Sequence, residues 1–278
     1  MLYHYTTLET FIKILEGIKM CDNEYVLKFR ASRVDQVNDP TEMTPDIKTL
    51  KDILHNKSEI KDIDKYLAYI DTINESDFHD ILNKEKQDRM PYVICFSEKR
   101  DYLPMWSLYG DKHHGICMCF DDDIIQETQK YYYKQHNNKM ILTGGKVSYK
   151  RHWESKVIHG IIETVLMSDS KDSGDELALL YLAAFPFIKN ANYSYEHEHR
   201  ICLYNFKKYF TPEINRMVKY DKEKPYIEVN IPLSALKGVI LGTMVPFVFF
   251  KKSIETYLRE KFNTKFKISK SKIPYGHE

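Results

Sequence analysis

Charged side chains occupy every second position from Glu196 through Glu198 to Arg200, within the segment 192–203 that reads Asn-Tyr-Ser-Tyr-Glu-His-Glu-His-Arg-Ile-Cys-Leu. A period of two is typical of a β-strand, in which successive side chains point to opposite faces of a sheet. On such a strand Glu196, Glu198 and Arg200 would share one face. A half-buried strand often turns a polar face to solvent, so an exposed ladder of charges is one interpretation. The other interpretation is a functional site on this face.

The spacing of apolar residues predicts further strands and helices. Thr7 lies in a capping signal before a helix that ends near Gly17, while Gly144 and Gly145 predict a turn into a strand. Helical spacing also recurs through a charged region at about 46–90. We therefore predict an α+β fold with a mixed, mostly antiparallel central sheet and flanking helices. The predicted strands are 25–31, 92–96, 115–120, 146–149, 227–229, 236–241 and 265–269, and the further predicted helices are 104–109, 121–138, 153–167, 176–188 and 251–262.

The bulk properties limit the class of protein. The 278 residues suit a single domain, 1–278, with the charged region 46–90 as a helical insertion. The whole chain has 41 basic and 40 acidic residues and hence a net charge of +1, so no overall electrostatic field attracts nucleic acid or an anionic membrane. Five cysteines, an odd number, indicate a reducing, intracellular setting. The longest apolar stretch, 239–250, is shorter than the roughly 20 residues of a membrane span, and we expect a cytoplasmic protein.

Several common enzyme signatures are absent from the sequence. It contains no Gly-rich phosphate loop and no Gly-x-Ser-x-Gly element, which disfavours kinases, P-loop NTPases, Rossmann dehydrogenases and α/β-hydrolases. His113, His114, Cys117 and Cys119 are potential soft-metal ligands. Cysteines that alternate with Ile and Met in an apolar strand more often pack in a core, and a second ligand pair with zinc-like spacing is absent. We therefore expect no metal.

Four motifs occur in a recognisable order. They are Leu2-Tyr3-His4-Tyr5-Thr6, then Asn38-Asp39-Pro40-Thr41-Glu42, then the run from Ile94 through Met105-Trp106-Ser107-Leu108-Tyr109-Gly110 to Cys117, and finally the segment with Glu196 and Glu198. In this order they resemble domain-of-unknown-function family 2971, a group of soluble, largely bacterial proteins. The resemblance runs from Tyr3 to about Phe249. Where that family usually has a tryptophan shortly before the first glutamate, this chain has Tyr193.

The order of His4, Ser97 and Glu198 also resembles, more distantly, that of the ADP-ribosyltransferases. In those enzymes an early strand bears a His or Arg that binds a ribose of NAD, a middle strand ends in a Ser, and a late strand carries the catalytic Glu. The resemblance implies an ADP-ribosyltransferase-like core and NAD as the substrate. Cleavage of the nicotinamide glycosidic bond develops positive charge on the ribose, which a nearby carboxylate stabilises. Glu198 is the predicted carboxylate, and Glu196 is predicted to orient or deprotonate the acceptor as a general base.

Further residues are candidates for binding a nucleotide-type ligand, and the resemblance to domain-of-unknown-function family 2971 adds Asn38 and Asp39 to them. Arg200 would bind the pyrophosphate or keep both glutamates ionised. Trp106 and Tyr109, three apart on a helical turn, would stack on a nicotinamide or adenine ring. Each also has a structural interpretation: His4 can cap a turn, the aromatic pair can belong to the core, and Asn38-Asp39-Pro40 is a turn by its composition. The predicted binding residues are His4, Tyr5, Thr6, Ser97, Trp106, Tyr109, Arg200, Asn38 and Asp39.

Two other functions are compatible with these residues. A non-catalytic binding or regulatory protein, for example a defence or abortive-infection component, would use the charged face and the aromatic pair as a partner surface. A nuclease would gather Glu196, Glu198, Asp39 and Lys189 around a magnesium ion. An enzyme needs Glu198 and His4 to converge on a cleft, whereas an interaction module would leave them on a flat or convex surface. The sequence does not identify a macromolecular acceptor.

Overall fold

A computed structural model gives the structure of the protein and describes residues 1–37, 39, 42–44, 46–57, 63–136, 141–149, 156–166, 173–204, 217–263 and 266–274. The strands are β1 Leu2–Thr6, β2 Lys19–Cys21, β3 Glu24–Arg33, β4 Tyr92–Ser97, β5 Ile116–Phe120, β6 Ile141–Lys146, β7 Glu198–Tyr204, β8 Val218–Asp221, β9 Lys224–Pro232, β10 Leu236–Leu241 and β11 Lys267–Lys270. The helices are α1 Leu8–Glu16, α2 Ile47–His55, α3 Asp64–Thr72, α4 Glu75–Arg89, α5 Leu103–Leu108, α6 Ile124–His136, α7 Lys156–Leu166, α8 Ser173–Ala184 and α9 Phe247–Phe262.

These strands form one sheet of eleven strands. Its longest path runs β11-β10-β5-β1-β4-β3-β9-β8, while β2 pairs with β3, and β7 pairs with both β4 and β6. The pairing of β10 with β11 is parallel, and the other pairings in the described sheet are antiparallel. The predicted α+β fold with a mixed, mostly antiparallel sheet and flanking helices is thus confirmed.

Strand β4 is the branch point that creates room for a site. One of its edges pairs with β7 along all six residues, from Tyr92↔Leu203 to Ser97↔Glu198. The other edge pairs with β3 at Tyr92 and Val93 and with β1 at Ser97. Strands β1 and β3 therefore diverge along the middle of β4. In this gap Nδ1 of His4 donates to the backbone oxygen of Cys95 over 2.9 Å.

The two faces of the sheet are packed differently. One face carries a continuous apolar core that includes Phe29, Phe96 and Phe120. Because side chains alternate along a strand, Val93 and Cys202 point to the opposite face, as do Tyr3 and Tyr5. On that face the apolar residues form two separate clusters. The larger one includes Val93 and buried residues of the helices α2 to α4, α7 and α8, and the smaller one surrounds Trp106. Glu196, Glu198 and Arg200 lie between these two apolar clusters.

Helix boundaries agree with local capping chemistry. The hydroxyl oxygen of Thr7 accepts from the backbone nitrogen of Thr10 at the start of α1, and Gly17 ends this helix. The predicted helical region 46–90 contains α2, α3 and α4, whose apolar residues such as Leu50 and Phe78 are buried. That this region is an insertion stays a prediction. In the described residues, no helix combines the length and the apolar character needed to cross a membrane.

The predicted turn at Gly144 and Gly145 is wrong. Both glycines lie inside β6, which pairs with β7, and the strand ends at Lys146, where a new one was expected to begin. A Cβ at Gly144 would come within 2.7 Å of the backbone oxygen of Arg200, and one at Gly145 within 2.1 Å of the Val157 side chain. These glycines allow close packing rather than a turn. Parts of the predicted helices, at 137–138, 153–155 and 167, lie outside the described residues.

Candidate functional site

A cavity of about 230 Å³ opens beside the gap between β1 and β3. It lies between the two apolar clusters. Charged side chains from several elements reach it. Its lining includes His4, Tyr5, Tyr109, Glu196, Glu198 and Arg200. The cavity therefore brings together residues that are almost two hundred positions apart in the sequence.

Five buried charged side chains form a connected cluster: Glu42, Lys189, Glu196, Glu198 and Arg200. Arg200 lies at the centre of this charged cluster. It lies two residues after Glu198 on β7, and the two side chains share a face as predicted. Its Nε donates to Oε1 of Glu198 over 2.8 Å and its Nη2 to Oε2 over 3.0 Å. Its Nη1 donates to the carboxylate of Glu42 and to the backbone oxygen of Pro186. Arg200 is fully buried and Glu198 is 4 % exposed, so this face of the strand is not a solvent-exposed ladder.

Lys189 joins the two glutamates. Its Nζ donates to Oε2 of Glu196 over 2.5 Å and to Oε2 of Glu198 over 3.3 Å. The ammonium group also lies 4.8 Å from the ring centre of Tyr193, which is within the range of a cation–π contact. Lys189 is 6 % exposed. The aromatic residue at 193 therefore packs against the lysine that bridges both carboxylates.

Glu196 does not belong to the strand, so the prediction that three charges share one strand face is wrong for this residue. Residues Ala191–Glu196 form a 3-10 helix, and His197 has a φ of 44°, which turns the chain before β7 begins. Ser97 holds this turn, because its Oγ donates to the backbone oxygen of Glu196 over 2.6 Å. The Glu196 carboxylate nevertheless reaches the cavity. Its Oε1 accepts from the Tyr109 hydroxyl over 2.6 Å.

Burial and neighbouring charges act in opposite directions on the pKa values of this cluster. Burial alone would raise the pKa of Glu198, but Arg200 and Lys189 outweigh burial and lower it to about 2. Burial would lower the pKa of Lys189, yet Glu198 and Glu196 raise it above its usual value. Burial raises the pKa of Glu42 in spite of the nearby Arg200 guanidinium. At neutral pH Glu198 and Lys189 are therefore both charged.

Residues of β1 also line the cavity. His4 is half-buried, and its ring meets Phe29 and Phe96 edge to face. Burial lowers the pKa of His4, against the effect of the Cys95 backbone oxygen, so the imidazole is neutral near pH 7. The Tyr5 hydroxyl donates to the backbone oxygen of Lys99 over 2.7 Å. Both residues therefore have structural partners and also line the cavity.

Four other predicted site residues are described but do not line the cavity: Thr6, Ser97, Trp106 and Asp39. Trp106 is fully buried and stacks on His113 with ring centres 5.3 Å apart, so it belongs to the core and not to an open stacking platform with Tyr109. Asp39 is buried, and its backbone oxygen accepts from the backbone nitrogen of Glu42 over 3.1 Å. Asn38 lies outside the described residues.

Two charged members of the cluster were missing from the predicted site residues. Glu42 belongs to the Asn38–Glu42 motif, which was its only signal in the sequence. Lys189 entered only as a member of the hypothetical magnesium site. Neither has a regular spacing to Glu198, because both reach the cluster from loops whose path depends on the tertiary fold. Among the described residues, no group of three or more His, Cys, Asp or Glu side chains is placed to hold a metal ion.

Comparison with known proteins bears on part of this site. The model of the family described as protein of unknown function (DUF2971) matches residues 105–201. This segment runs from α5 into β7 and contains Tyr109, Lys189 and the Glu198–Arg200 pair. The match supports the resemblance to this family over a shorter segment than expected, since His4 and Ser97 lie before it. No curated protein and no solved structure matches the chain.

Proposed function

We propose that the cavity binds NAD and that the protein cleaves the bond between nicotinamide and ribose. The products are nicotinamide and either free ADP-ribose, when water attacks, or an ADP-ribosylated acceptor. The observation that carries the proposal is that His4 and Glu198 line one concave cavity, as an enzyme of this kind requires. The proposal includes the ADP-ribosyltransferase-like core that the resemblance implies, and the gap that β1 and β3 leave along β4, next to His4, would admit a ligand.

In this proposal Glu198 acts on the sugar. Departure of nicotinamide leaves positive charge shared between the anomeric carbon and the ring oxygen, and an ionised carboxylate stabilises that charge. Glu198 meets the requirement of ionisation, because its low pKa keeps it charged throughout the neutral range. Arg200 fixes the orientation of the carboxylate through two hydrogen bonds. A fixed orientation reduces the reorganisation that the transition state would otherwise require.

Glu196 would act on the attacking group. Its carboxylate lies between the Tyr109 hydroxyl and the Lys189 ammonium group, and all three side chains line the cavity. As a general base it would take the proton of a water molecule or an acceptor hydroxyl as the new bond to the anomeric carbon forms. For hydrolysis, NAD and water give nicotinamide, ADP-ribose and one proton, so no further reactant is needed.

A second candidate is a binding or regulatory protein without catalytic activity, and one observation favours it. Each carboxylate oxygen of Glu198 and Glu196 already accepts from a side chain of the protein, namely Arg200, Lys189 or Tyr109. A closed network of this kind could simply hold β7 against the helices. A magnesium-dependent nuclease is a further untested alternative, in which Lys189 would have to release both glutamates to the metal.

Release of free nicotinamide from NAD tests the proposal. The purified protein is incubated with NAD, with and without cell lysate, beside Glu198→Gln and Tyr109→Phe. Glu9→Gln is the matched control, because Glu9 is an exposed glutamate of α1 that pairs with Lys13 and does not line the cavity. We expect Glu198→Gln to lower the rate on the order of 100-fold and Glu9→Gln to leave it unchanged.

Circular dichroism and thermal unfolding of the same samples show whether each variant is folded. A loss of activity is thereby distinguished from a loss of structure. Equal rates for wild type and a folded Glu198→Gln variant would remove the catalytic role of Glu198. If the wild type neither releases nicotinamide nor binds NAD, the binding or regulatory protein becomes the better interpretation. A dependence of any nucleic-acid cleavage on added magnesium would instead favour the nuclease.

A further inference from the structure

A second cavity, of about 310 Å³, adjoins the first. It lies beside β3 and the β8–β9 hairpin, and Ser32 and Gln36 line both cavities. Arg30 and Ser32 are two apart on β3 and therefore share a face, and Tyr226 of β9 pairs with Ser32. On the other edge of β3, Val93 of β4 pairs with Ser32. Val93 belongs to the larger apolar cluster, which lies on the same face of the sheet as Glu198 and Arg200. The second cavity thus continues the first along the same face of the sheet.

The two cavities differ in charge. The second is lined by three cations, Arg30, Lys222 and Lys224, and by one carboxylate, Asp221, so its described lining has an excess of two positive charges. The lining of the first cavity contains two cations, Lys189 and Arg200, and two carboxylates, Glu196 and Glu198. Glu42 pairs with Arg200 but does not line the cavity. A ligand that spans both cavities would therefore meet compensated charge at one end and positive charge at the other. This distribution suits a ligand that is anionic at one end only.

The side chains of the second cavity suit phosphate groups next to a planar ring. The Arg30 guanidinium lies 4.5 Å from the ring centre of Tyr226 and donates to Asp221 over 2.6 Å. Arg30 and Asp221 are both more than half exposed, so this ion pair contributes little to stability, and phosphate can replace the carboxylate. A guanidinium binds two phosphate oxygens at once, and a tyrosine ring offers a face on which a base can stack.

The hairpin turn fixes the two lysines. Lys222 and Glu223 both have positive φ values, of 47° and 69°, and together they connect Asp221 to Lys224. Two successive residues with positive φ are typical of a type I′ turn, the tight connection that matches the twist of paired strands. The turn is therefore short and regular, which holds Lys222 and Lys224 near Arg30.

We propose that this second cavity binds the diphosphate of a dinucleotide whose nicotinamide end occupies the first cavity. The inference rests on the proposed function and extends it by assigning the anionic part of the ligand to Arg30, Lys222 and Lys224. The first cavity alone, at about 230 Å³, is below the roughly 300–1,000 Å³ of pockets that enclose ordinary ligands. A ligand as long as a dinucleotide needs the second cavity as well.

Isothermal titration calorimetry with three probes tests this assignment. ADP-ribose carries the diphosphate without a cleavable nicotinamide bond, inorganic pyrophosphate supplies the anion alone, and nicotinamide supplies the ring alone. The full-length wild type is compared with the double variant Arg30→Gln/Lys224→Gln. The matched control is Lys237→Gln/Lys251→Gln, which removes two partly exposed positive charges, from β10 and α9, that do not line the second cavity.

We expect the double variant to bind ADP-ribose and pyrophosphate about tenfold more weakly and nicotinamide equally well, and the control variant to match the wild type. Equal affinity of wild type and double variant for ADP-ribose and pyrophosphate would overturn the assignment, as would a lack of binding of both probes to the wild type. If pyrophosphate binding depends on Arg30 and Lys224 but no nicotinamide is ever released from NAD, the phosphate site stands and the proposed function fails. If nicotinamide is released but the double variant binds ADP-ribose as tightly as the wild type, the proposed function stands and the phosphate site fails.

Discussion

Arg200 donates to both carboxylate oxygens of Glu198, over 2.8 and 3.0 Å, although neither side chain has appreciable exposed surface. The two residues are neighbours on one face of β7, so the strand itself sets their relative position. Removal of both charges from water costs several kcal/mol per ion, and the pair recovers this only through close, well-directed hydrogen bonds. A buried pair of this kind adds little net stability. Loss of one partner, however, is severe.

Arg200→Met should therefore destabilise the protein strongly. The variant leaves Glu198 and Glu42 buried without their main cation, and we expect a loss of about 3–5 kcal/mol in the free energy of unfolding. Arg30→Met is the control, because Arg30 is half exposed and its ion pair with Asp221 is worth only about 0–1 kcal/mol. Urea unfolding of both variants measures the difference. Similar small losses in the two would show that the buried network does not stabilise the fold.

Stability should depend on pH through Glu198. Its pKa is about 2 in the folded protein, against an ordinary value of 4.5. Because the folded pKa is depressed, the associated stabilisation is complete above pH 4.5 and is lost as the pH falls towards 2. That stabilisation is about 3 kcal/mol, so the difference in unfolding free energy between wild type and Glu198→Gln should shrink by this amount between pH 5 and pH 2.

Glu42 should make stability depend on pH in the opposite direction to Glu198. Its pKa is raised by burial, so its contribution is present below its ordinary pKa and is lost as the pH rises through the folded value. Relative to wild type, Glu42→Gln should therefore gain stability as the pH rises above about 4.5. A constant difference from wild type at every pH, for either variant, would contradict the directions of these pKa shifts.

Sequence patterns predicted the regular elements better than the site. The period of two placed Glu198 and Arg200 on one face, and the capping signal at Thr7 predicted the start of α1, because both depend on neighbours in the chain. The position of Glu196 depends on Ser97, which is 99 residues away in sequence and holds the 3-10 helix. Such contacts leave no periodic signal. For the same reason the roles of Lys189 and Glu42 emerged only from the fold.

Ser97→Ala should loosen the turn that carries Glu196. The buried Ser97 hydroxyl donates to the backbone oxygen of Glu196 and accepts from the backbone nitrogen of Lys99, over 2.6 and 3.1 Å. The variant removes both contacts, and we expect a loss of about 1–3 kcal/mol in the free energy of unfolding. Ser107→Ala is the matched control, since this exposed hydroxyl donates to Leu103 within α5. Chemical denaturation should show at most a small effect for Ser107→Ala. Equal effects would argue that Ser97 has no special role.

Glu223→Gly should make the protein more stable. Glu223 has a φ of 69° in the β8–β9 turn, a backbone conformation that glycine adopts without steric cost and glutamate does not. Relief of this strain should raise the free energy of unfolding by about 0.5–1 kcal/mol, after the greater freedom of glycine in the unfolded chain is subtracted. Asn23→Gly is the control: Asn23 has a φ of 65° in the β2–β3 turn, but asparagine tolerates this region. Urea unfolding should therefore give a smaller gain for Asn23→Gly, and a net loss for Glu223→Gly would show that the Glu223 side chain stabilises the hairpin by more than its backbone costs.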